Sequence, residues 1–139
     1  MTKDEIARRC RDAMWENDRA SQAMGMEVQV VSAGHASATL TVREDMANGW
    51  QICHGGFIFA LADSAFAFAC NSYDRVTVAS NCTVDFLKPA KVGDTLTAVA
   101  TERHRGGRTG VYDVTVTNQN DEQIALFRGR SYATAKSIL

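Results

Sequence analysis

The stretch from His54 to Cys70 constrains the fold more than any other part of the chain. It opens with Gly55 and Gly56 and continues with Ala, Leu, Ile and Phe almost without interruption. Alanine and leucine are strong helix formers, and the phenylalanines fall on every side of the predicted helix. Asp63 is its one charged side chain. Since a buried carboxylate is costly unless something is gained from it, Asp63 is the first candidate for a functional residue.

The segments around this helix predict a small α+β domain. Residues 2–20 begin with a capping box and form a weakly amphipathic helix, which covers the sheet or, through Met14 and Trp15, shapes a substrate pocket. Period-two and β-branched patterns predict six strands. They cover residues 27–31, 36–42, 76–87, 95–105, 109–117 and 122–134. We therefore expect a single domain, residues 1–139, with an antiparallel sheet curled around the long helix and its last four strands in a meander.

Charge and composition narrow the classes of partner and compartment. The 139 residues carry a net charge of -1, which gives no reason to expect nucleic acid as a partner. The longest apolar run falls short of the ~20 residues of a membrane span and contains Asp63. The N-terminus lacks an early apolar core, and the four cysteines form no Cys-x-x-Cys pattern. We expect a cytoplasmic protein with free thiols and no signal peptide or membrane segment.

Burial of the long helix needs more surface than one sheet offers. A sheet covers one flank, whereas this helix is apolar on every flank, and the N-terminal segment is short. A second copy of the chain is the simplest cover. The pattern therefore predicts a dimer.

Gly55 and Asp63 lie too far apart on one helix to act on the same carbonyl. Their eight-residue spacing corresponds to ~12 Å of helix rise. Two such helices, antiparallel and ~8–10 Å apart, bring Gly55 of one copy level with Asp63 of the other if they cross near Phe59. The free N–H groups of Gly55 and Gly56 then face a carbonyl that gains negative charge. The alternatives are a tight turn at the glycines and a structural ion pair or hydrogen bond at Asp63.

Other candidate groups carry weaker signals. His35, His54 and His104 have no metal-ligand spacing with one another or with a cysteine, so we expect no metal site. Cys53 is adjacent to His54 in sequence, whereas a nucleophile and its base usually meet across the fold, so we interpret Cys53 as a small loop residue. Ser64, in the middle of the helix, is either a substrate contact or a small residue required by packing.

Seven short motifs follow one another along nearly the whole chain. They are Asn48-Gly49, Cys53-His54-Gly55-Gly56, Leu61-Ala62-Asp63, Asp85-Phe86-Leu87-Lys88-Pro89, Gly93-Asp94-Thr95-Leu96, Arg108-Thr109-Gly110-Val111-Tyr112-Asp113 and Ala125-Leu126-Phe127-Arg128-Gly129. Their order resembles the hotdog-fold acyl-CoA thioesterases, and more narrowly the phenylacetic-acid-degradation (PaaI-like) branch. The hotdog fold, a sheet wrapped around one long helix and paired into dimers, agrees with what the pattern alone requires.

The resemblance implies a catalytic site that two subunits share. Gly55 would polarise the thioester carbonyl through its N–H group, and Asp63 of the opposite subunit would act as nucleophile or general base. His54 and Asn48 match positions that orient the scissile bond. Gly56 allows close approach of the substrate to the helix start. No metal or cofactor is implied, because coenzyme A arrives as part of the substrate.

The resemblance also implies contacts for the three phosphate groups of coenzyme A. The basic run at residues 103–108 supplies Arg105 and Arg108, and Lys88 is a further candidate; a solvated hairpin is the alternative for that run. We expect hydrolysis of aryl- or phenylacetyl-CoA-type thioesters by a dimer or by a tetramer of two dimers. The other readings are a hotdog enoyl-CoA hydratase or dehydratase and a non-catalytic acyl-CoA-binding sensor.

Overall fold

The structure, a computed structural model, describes residues 1–139 apart from the side chain of Val31. Within these residues three α-helices and six strands account for the regular structure, with a 3-10 helix at Glu44–Met46. The elements are α1 (Lys3–Trp15), α2 (Arg19–Ala23), β1 (Glu27–Ser32), β2 (His35–Thr41), α3 (Gly55–Cys70), β3 (Thr77–Phe86), β4 (Thr95–Gly106), β5 (Thr109–Thr117) and β6 (Gln123–Ala133). The predicted antiparallel sheet and long helix are confirmed.

The N-terminal segment is two helices rather than one. The capping box at Thr2 and Glu5 is present and begins α1 as predicted. A second helix starts after Asp18, whose side chain accepts a hydrogen bond from Ser21 N at 3.1 Å. The side chain of Trp15, at the end of α1, lies 6.4 Å from the ring of Phe68 on α3. The segment therefore covers one flank of the long helix.

Strand β3 occupies a different place in the sheet from the one predicted. The strand order is β1-β2-β4-β5-β6-β3, with every pair antiparallel. Strands β4, β5 and β6 form a meander, but β3 pairs with β6, from Thr77 opposite Ala133 to Phe86 opposite Ala125. The expected four-strand meander was wrong, because α3 packs across β2, β4 and β5 and the chain that leaves it joins the sheet beyond them.

The sheet buries one side of α3. The residues on that side are Ile58, Leu61, Ala62, Ala65, Phe66, Phe68 and Ala69. The ring of Phe66 lies 5.7 Å from those of Tyr112 and Phe127, and a Cβ atom on Gly129 would stand 2.7 Å from it. Glycine at position 129 therefore makes room for Phe66 against β6. None of the helices in the described chain is long and apolar enough to cross a bilayer.

The C-terminal end of α3 is closed by two buried polar side chains. Asn71 Nδ2 donates to Ala67 O and to Thr77 O, both at 2.9 Å, and Asn71 Oδ1 accepts from Thr77 N at 2.8 Å. Ser72 Oγ donates to Ala69 O and accepts from Gly34 N at 2.7 Å. Two of the last four carbonyl groups of the helix therefore accept from these side chains, and the helix is tied to β3 and to the β1–β2 turn.

Candidate active site

The first turn of α3 presents backbone N–H groups that the rest of the protomer does not use. His54 occupies the N-cap and makes no side-chain capping bond. Phe57 N donates to His54 O at 3.0 Å, whereas neither Gly55 N nor Gly56 N donates to a described residue. These donors also lie at the positive end of the helix dipole. The helix start therefore attracts an anion or a carbonyl oxygen that gains negative charge.

Asn48 holds the loop before α3 in shape. Its Oδ1 accepts hydrogen bonds from Trp50 N at 2.9 Å and Ile52 N at 3.3 Å, and its own N–H donates to Ile52 O at 2.8 Å. The imidazole of His54 lies over the first turn, with Nδ1 3.8 Å from the Cβ position of Gly56. The structure thus places Asn48 in the segment that leads into the helix and His54 directly beside its first N–H groups.

Asp63 is a carboxylate without a partner in the part of the protomer that the structure describes. No hydrogen bond or ion pair links it to a residue that the structure describes. Its side chain is half-buried, and burial raises the pKa of the carboxyl group above its ordinary value of 3.8. Burial raises the pKa of the Cys70 thiol to about 12, and the negative charge of Asp63 adds to that shift. An unpaired carboxylate in such surroundings is a candidate for catalysis.

The face of α3 that carries Asp63 is open in the protomer. Gly56, Ala60, Asp63 and Ala67 recur every three or four residues and are half-buried or exposed. Beside them runs β3, the last strand of the sheet, whose ten residues pair with β6 on one side only. An apolar helix face next to a free strand edge is a surface that another polypeptide can cover.

A cavity of about 300 Å³ adjoins the helix start. Its lining includes Ile52, Gly55, Ile58, Phe86 and Leu87. A Cβ atom on Gly55 would come within 3.2 Å of the Phe86 ring, so the ring lies directly against the first helical residue. Lys88 also borders this cavity, and its Nζ lies 3.0 Å from Glu122. In the sequence, Phe86 stands out only as a member of the motif at residues 85–89.

The two arginines predicted to bind phosphate lie at the other end of α3. Arg105 and Arg108 line a small pocket with Arg75, and none of the three forms an ion pair with a described carboxylate. The guanidinium of Arg105 lies 3.6 Å from the ring centre of Tyr73. This pocket and Gly55 are separated by the ~24 Å of a 16-residue helix. Arg75 and Tyr73 carry no sequence signal that links them to the hairpin.

Burial and a hydrogen bond to Glu102 fix the aromatic side of this pocket. The Tyr73 hydroxyl donates to Glu102 Oε1 at 2.8 Å, and the Tyr112 hydroxyl donates to the same oxygen at 2.9 Å. Burial, followed by the hydrogen bond and charge of Glu102, raises the pKa of Tyr73 to about 12. Both phenols therefore remain neutral donors at physiological pH.

Two weaker candidates have local partners. Ser64 Oγ lies 3.0 Å from Ser21 Oγ, which in turn donates to Asp18 Oδ2 at 2.8 Å, so Ser64 attaches α2 to α3. Cys53 is buried, and its thiol is 3.5 Å from His54 O. Burial raises the pKa of this thiol, which reduces the thiolate fraction that a nucleophile requires.

Comparison with known proteins identifies the family of this chain. A family model described as the thioesterase superfamily matches residues 51–125. The acyl-coenzyme A thioesterase PaaI of Escherichia coli K12 is 51% identical over 126 residues, which are 91% of this chain and 90% of that protein. A putative esterase of Archaeoglobus fulgidus is 33% identical over 94% of this chain and 84% of its own length.

Solved structures show the same likeness. The structure of the E. coli PaaI protein from the phenylacetic acid degradation operon superimposes with a TM-score of 0.95 at 47% identity, over 98% of this chain and 99% of that one. The protein smu.793 from Streptococcus mutans UA159, bound to acetyl CoA, superimposes with a TM-score of 0.76 at 31% identity, over 81% of this chain and 90% of that one.

Proposed function

This chain belongs to the thioesterase superfamily, and from that premise we propose that it hydrolyses acyl-CoA thioesters with aryl acyl groups of the phenylacetyl type. The observation that carries the proposal is that one helix carries both a free N–H group at Gly55 and an unpartnered carboxylate at Asp63 among the described residues. A thioester is a good electrophile with a thiolate leaving group. One oxyanion donor and one carboxylate are therefore sufficient machinery.

Each site is built by two subunits of a dimer. Gly55 and Asp63 are ~12 Å apart along one helix, too far to reach one carbonyl group. The open face of α3 and the free edge of β3 support an antiparallel pairing across a two-fold axis, which brings Asp63 of one protomer beside Gly55 of the other. Each protomer covers the apolar surface that the other leaves open.

In this arrangement the substrate carbonyl accepts a hydrogen bond from Gly55 N, and the charge that develops on its oxygen is stabilised there. Asp63 from the opposite subunit acts in one of two ways. As a general base it takes a proton from water, whose oxygen bonds to the carbonyl carbon. As a nucleophile it forms an anhydride, which water then hydrolyses. Either way the carbon–sulfur bond breaks, and coenzyme A leaves as the thiolate and takes up a proton. His54 and Asn48 orient the scissile bond, and Gly56 leaves room for it.

The same two-fold arrangement supports phosphate contacts from the partner subunit. Lys88, paired with Glu122 at the cavity beside Gly55, is a further candidate for contact with the substrate. If the helices cross near Phe59, the end of the partner helix lies ~10 Å beyond Gly55 along the axis, on the same side. Arg105 and Arg108 of the partner subunit then face the coenzyme end of the substrate. Ser64, held by Ser21, contributes by fixing α3 near the substrate.

We further place the enzyme in the cytoplasm as a tetramer of two dimers. All four cysteines are free thiols, which suits a reducing compartment. The outer face of the sheet exposes Val99 on β4 and Leu126 on β6, and these apolar side chains support contact between dimers. Light scattering tests this assembly against the 15.2 kDa protomer.

The decisive experiment is a thiol-release assay over a panel of acyl-CoAs with the Asp63→Asn variant. We expect kcat for phenylacetyl-CoA to fall by about 10³-fold, because the carboxylate that acts on water or carbon is gone. Undiminished turnover by a folded variant would exclude this mechanism. Hydration of crotonyl-CoA without thiol release would indicate a hydratase, and binding without turnover would indicate a sensor.

A further inference from the structure

The cavity beside the helix start is formed by three parts of the chain. The loop before α3 contributes Ile52 and Cys53, the helix contributes Gly55 and Ile58, and the end of β3 contributes Phe86, with the following residues as its outer wall. Its volume of about 300 Å³ lies at the lower end of small-molecule sites. It can hold a fragment of an acyl-CoA but not the whole molecule.

The polar groups of this lining are mostly engaged. Ile52 N donates to Asn48 Oδ1, and Cys53 N donates to Ala90 O at 2.7 Å. Leu87 N and Lys88 N both donate to Ile124 O. The backbone walls therefore offer few donors to a guest. The lining side chains are apolar apart from the Cys53 thiol and Lys88, whose ammonium group is paired with Glu122 at 3.0 Å.

A lining with few free donors suits the acyl group of the substrate better than its sulfur arm. With the carbonyl oxygen on Gly55 N, the acyl group and the sulfur arm leave the carbonyl carbon in different directions. The sulfur arm carries amide groups, and burying an amide without hydrogen-bond partners costs free energy. An aromatic acyl group has no such requirement, so it fits the engaged, apolar lining better.

Phe86 is the aromatic side chain in the lining of this cavity. Its ring lies against Gly55, with the nearest ring atoms 3.2 to 3.6 Å from the Cβ position of that residue. The ring is also 52% exposed in the protomer, so a large part of it is open to a guest beside the partner subunit that covers the edge of β3. Aromatic pairs gain free energy beyond area burial when rings pack offset or edge to face.

We propose that this cavity binds the acyl group and that Phe86 is a specificity-determining residue that selects aromatic acyl groups. The proposal rests on the proposed thioesterase function and names a subsite for its substrate. Because Phe86 contacts the acyl group rather than the coenzyme, its truncation changes which thioester is preferred. If the cavity held the sulfur arm instead, truncation of Phe86 would lower kcat/KM for every acyl-CoA by the same factor.

The test compares kcat/KM for phenylacetyl-CoA and acetyl-CoA in Phe86→Ala, Phe86→Leu and a control. Tyr132→Ala is the matched control, because Tyr132 is an aromatic residue of similar exposure, 44%, on the outer face of β6. We expect Phe86→Ala to lower kcat/KM for phenylacetyl-CoA about 10-fold and that for acetyl-CoA less than about 3-fold. Phe86→Leu should lie between, and the control should keep the wild-type ratio.

The proposal is overturned if Phe86→Ala leaves the ratio of the two kcat/KM values unchanged, whether or not both values fall. Failure of the proposed function has a different signature, namely a wild-type protein that releases thiol from neither thioester. A binding measurement then decides about the cavity, by calorimetry on Asp63→Asn with and without Phe86→Ala. Affinity for phenylacetyl-CoA should fall about 10-fold with the second substitution while that for acetyl-CoA holds. Circular dichroism melting confirms that each variant is folded.

Discussion

The two ends of α3 differ in how they are capped. At the C-terminal end, the buried side chains of Asn71 and Ser72 bond the neighbouring backbone and tie the helix to β3 and to the β1–β2 turn. At the N-terminal end, His54 provides no side-chain cap, and Gly55, whose N–H group has no partner among the described residues, lines a cavity. Helix ends ordinarily need capping groups. The contrast indicates that one end anchors the helix and the other is left free for a ligand.

Among changes at the two ends of α3, the largest effect is expected from removing the free donor at the open end. Gly55→Pro deletes that N–H group, and proline is tolerated at the first helical position, where His54 already has the extended angles that precede proline. We expect kcat/KM to fall by about 10²–10³-fold with the dimer intact.

Gly55→Ala is the control, because it adds the same Cβ contact with Phe86 and keeps the N–H group. Similar kinetics for the proline and alanine variants would contradict an oxyanion role for this donor. Co-expression of Gly55→Pro with Asp63→Asn protomers also tests the shared site. Each mixed dimer has one site with both groups intact, so about a quarter of wild-type activity should return.

The closed end should respond in stability rather than in catalysis. Asn71→Ala removes a buried side chain and leaves the N–H and C=O groups of the half-buried Thr77 without their partner. We expect the free energy of unfolding in urea to drop by about 3 kcal/mol, with kcat of the folded protein within about 2-fold of wild type.

Asn17→Ala, at an exposed asparagine, should change the free energy of unfolding by less than about 0.5 kcal/mol. A large loss of kcat in folded Asn71→Ala would mean that the two ends are not separate in function.

Arg105 and Arg108 lie at the closed end of α3. In the proposed dimer they contact the substrate bound at the open end of the partner helix. Arg105→Ala with Arg108→Ala should raise KM for phenylacetyl-CoA about 10-fold, because charge-assisted contacts with phosphate are lost. KM for the N-acetylcysteamine thioester, which has no phosphate, should stay the same. Arg103→Ala serves as control, since Arg103 pairs with Asp113 on the outer face. An equal rise in KM for both thioesters would argue against phosphate contact.

The smallest effect concerns Asp63, midway between the two ends, and it depends on pH. Burial raises the pKa of this carboxyl group above the ordinary value of 3.8, so the folded protein binds its proton more tightly than the unfolded chain. Stability therefore falls as pH rises from 3.8 through the raised pKa and is level above it. We expect Asp63→Asn to melt at a higher temperature than wild type at pH 7 and at the same temperature below pH 3.8. A wild-type protein more stable than the variant at pH 7 would contradict an unpartnered carboxylate.

The sequence predicted the local features of this molecule better than its long-range ones. The long helix, and the positions of Gly55 and Asp63 on it, follow from composition and hydrophobic period alone. The place of β3 could not be predicted, because residues 77–86 show strand character but not which neighbour they pair with. Arg75 and Tyr73 were missed for the same reason, since the fold brings them to the β4–β5 hairpin. The sequence left Ser64 as either a substrate contact or a packing residue, because its neighbour Ser21, 3.0 Å away, lies 43 positions earlier in the chain.

The pairing of β3 with β6 has a consequence for how the chain is made. Partner residues are 39 to 56 positions apart, from Phe86 with Ala125 to Thr77 with Ala133. At translation rates of about 5–20 residues per second, β3 leaves the ribosome about 2–10 s before the strand it pairs with. During that interval the nascent protein holds a ten-residue strand with both edges unpaired, next to an apolar helix. Chaperone capture and premature pairing between neighbouring nascent chains should therefore concentrate on residues 55–86.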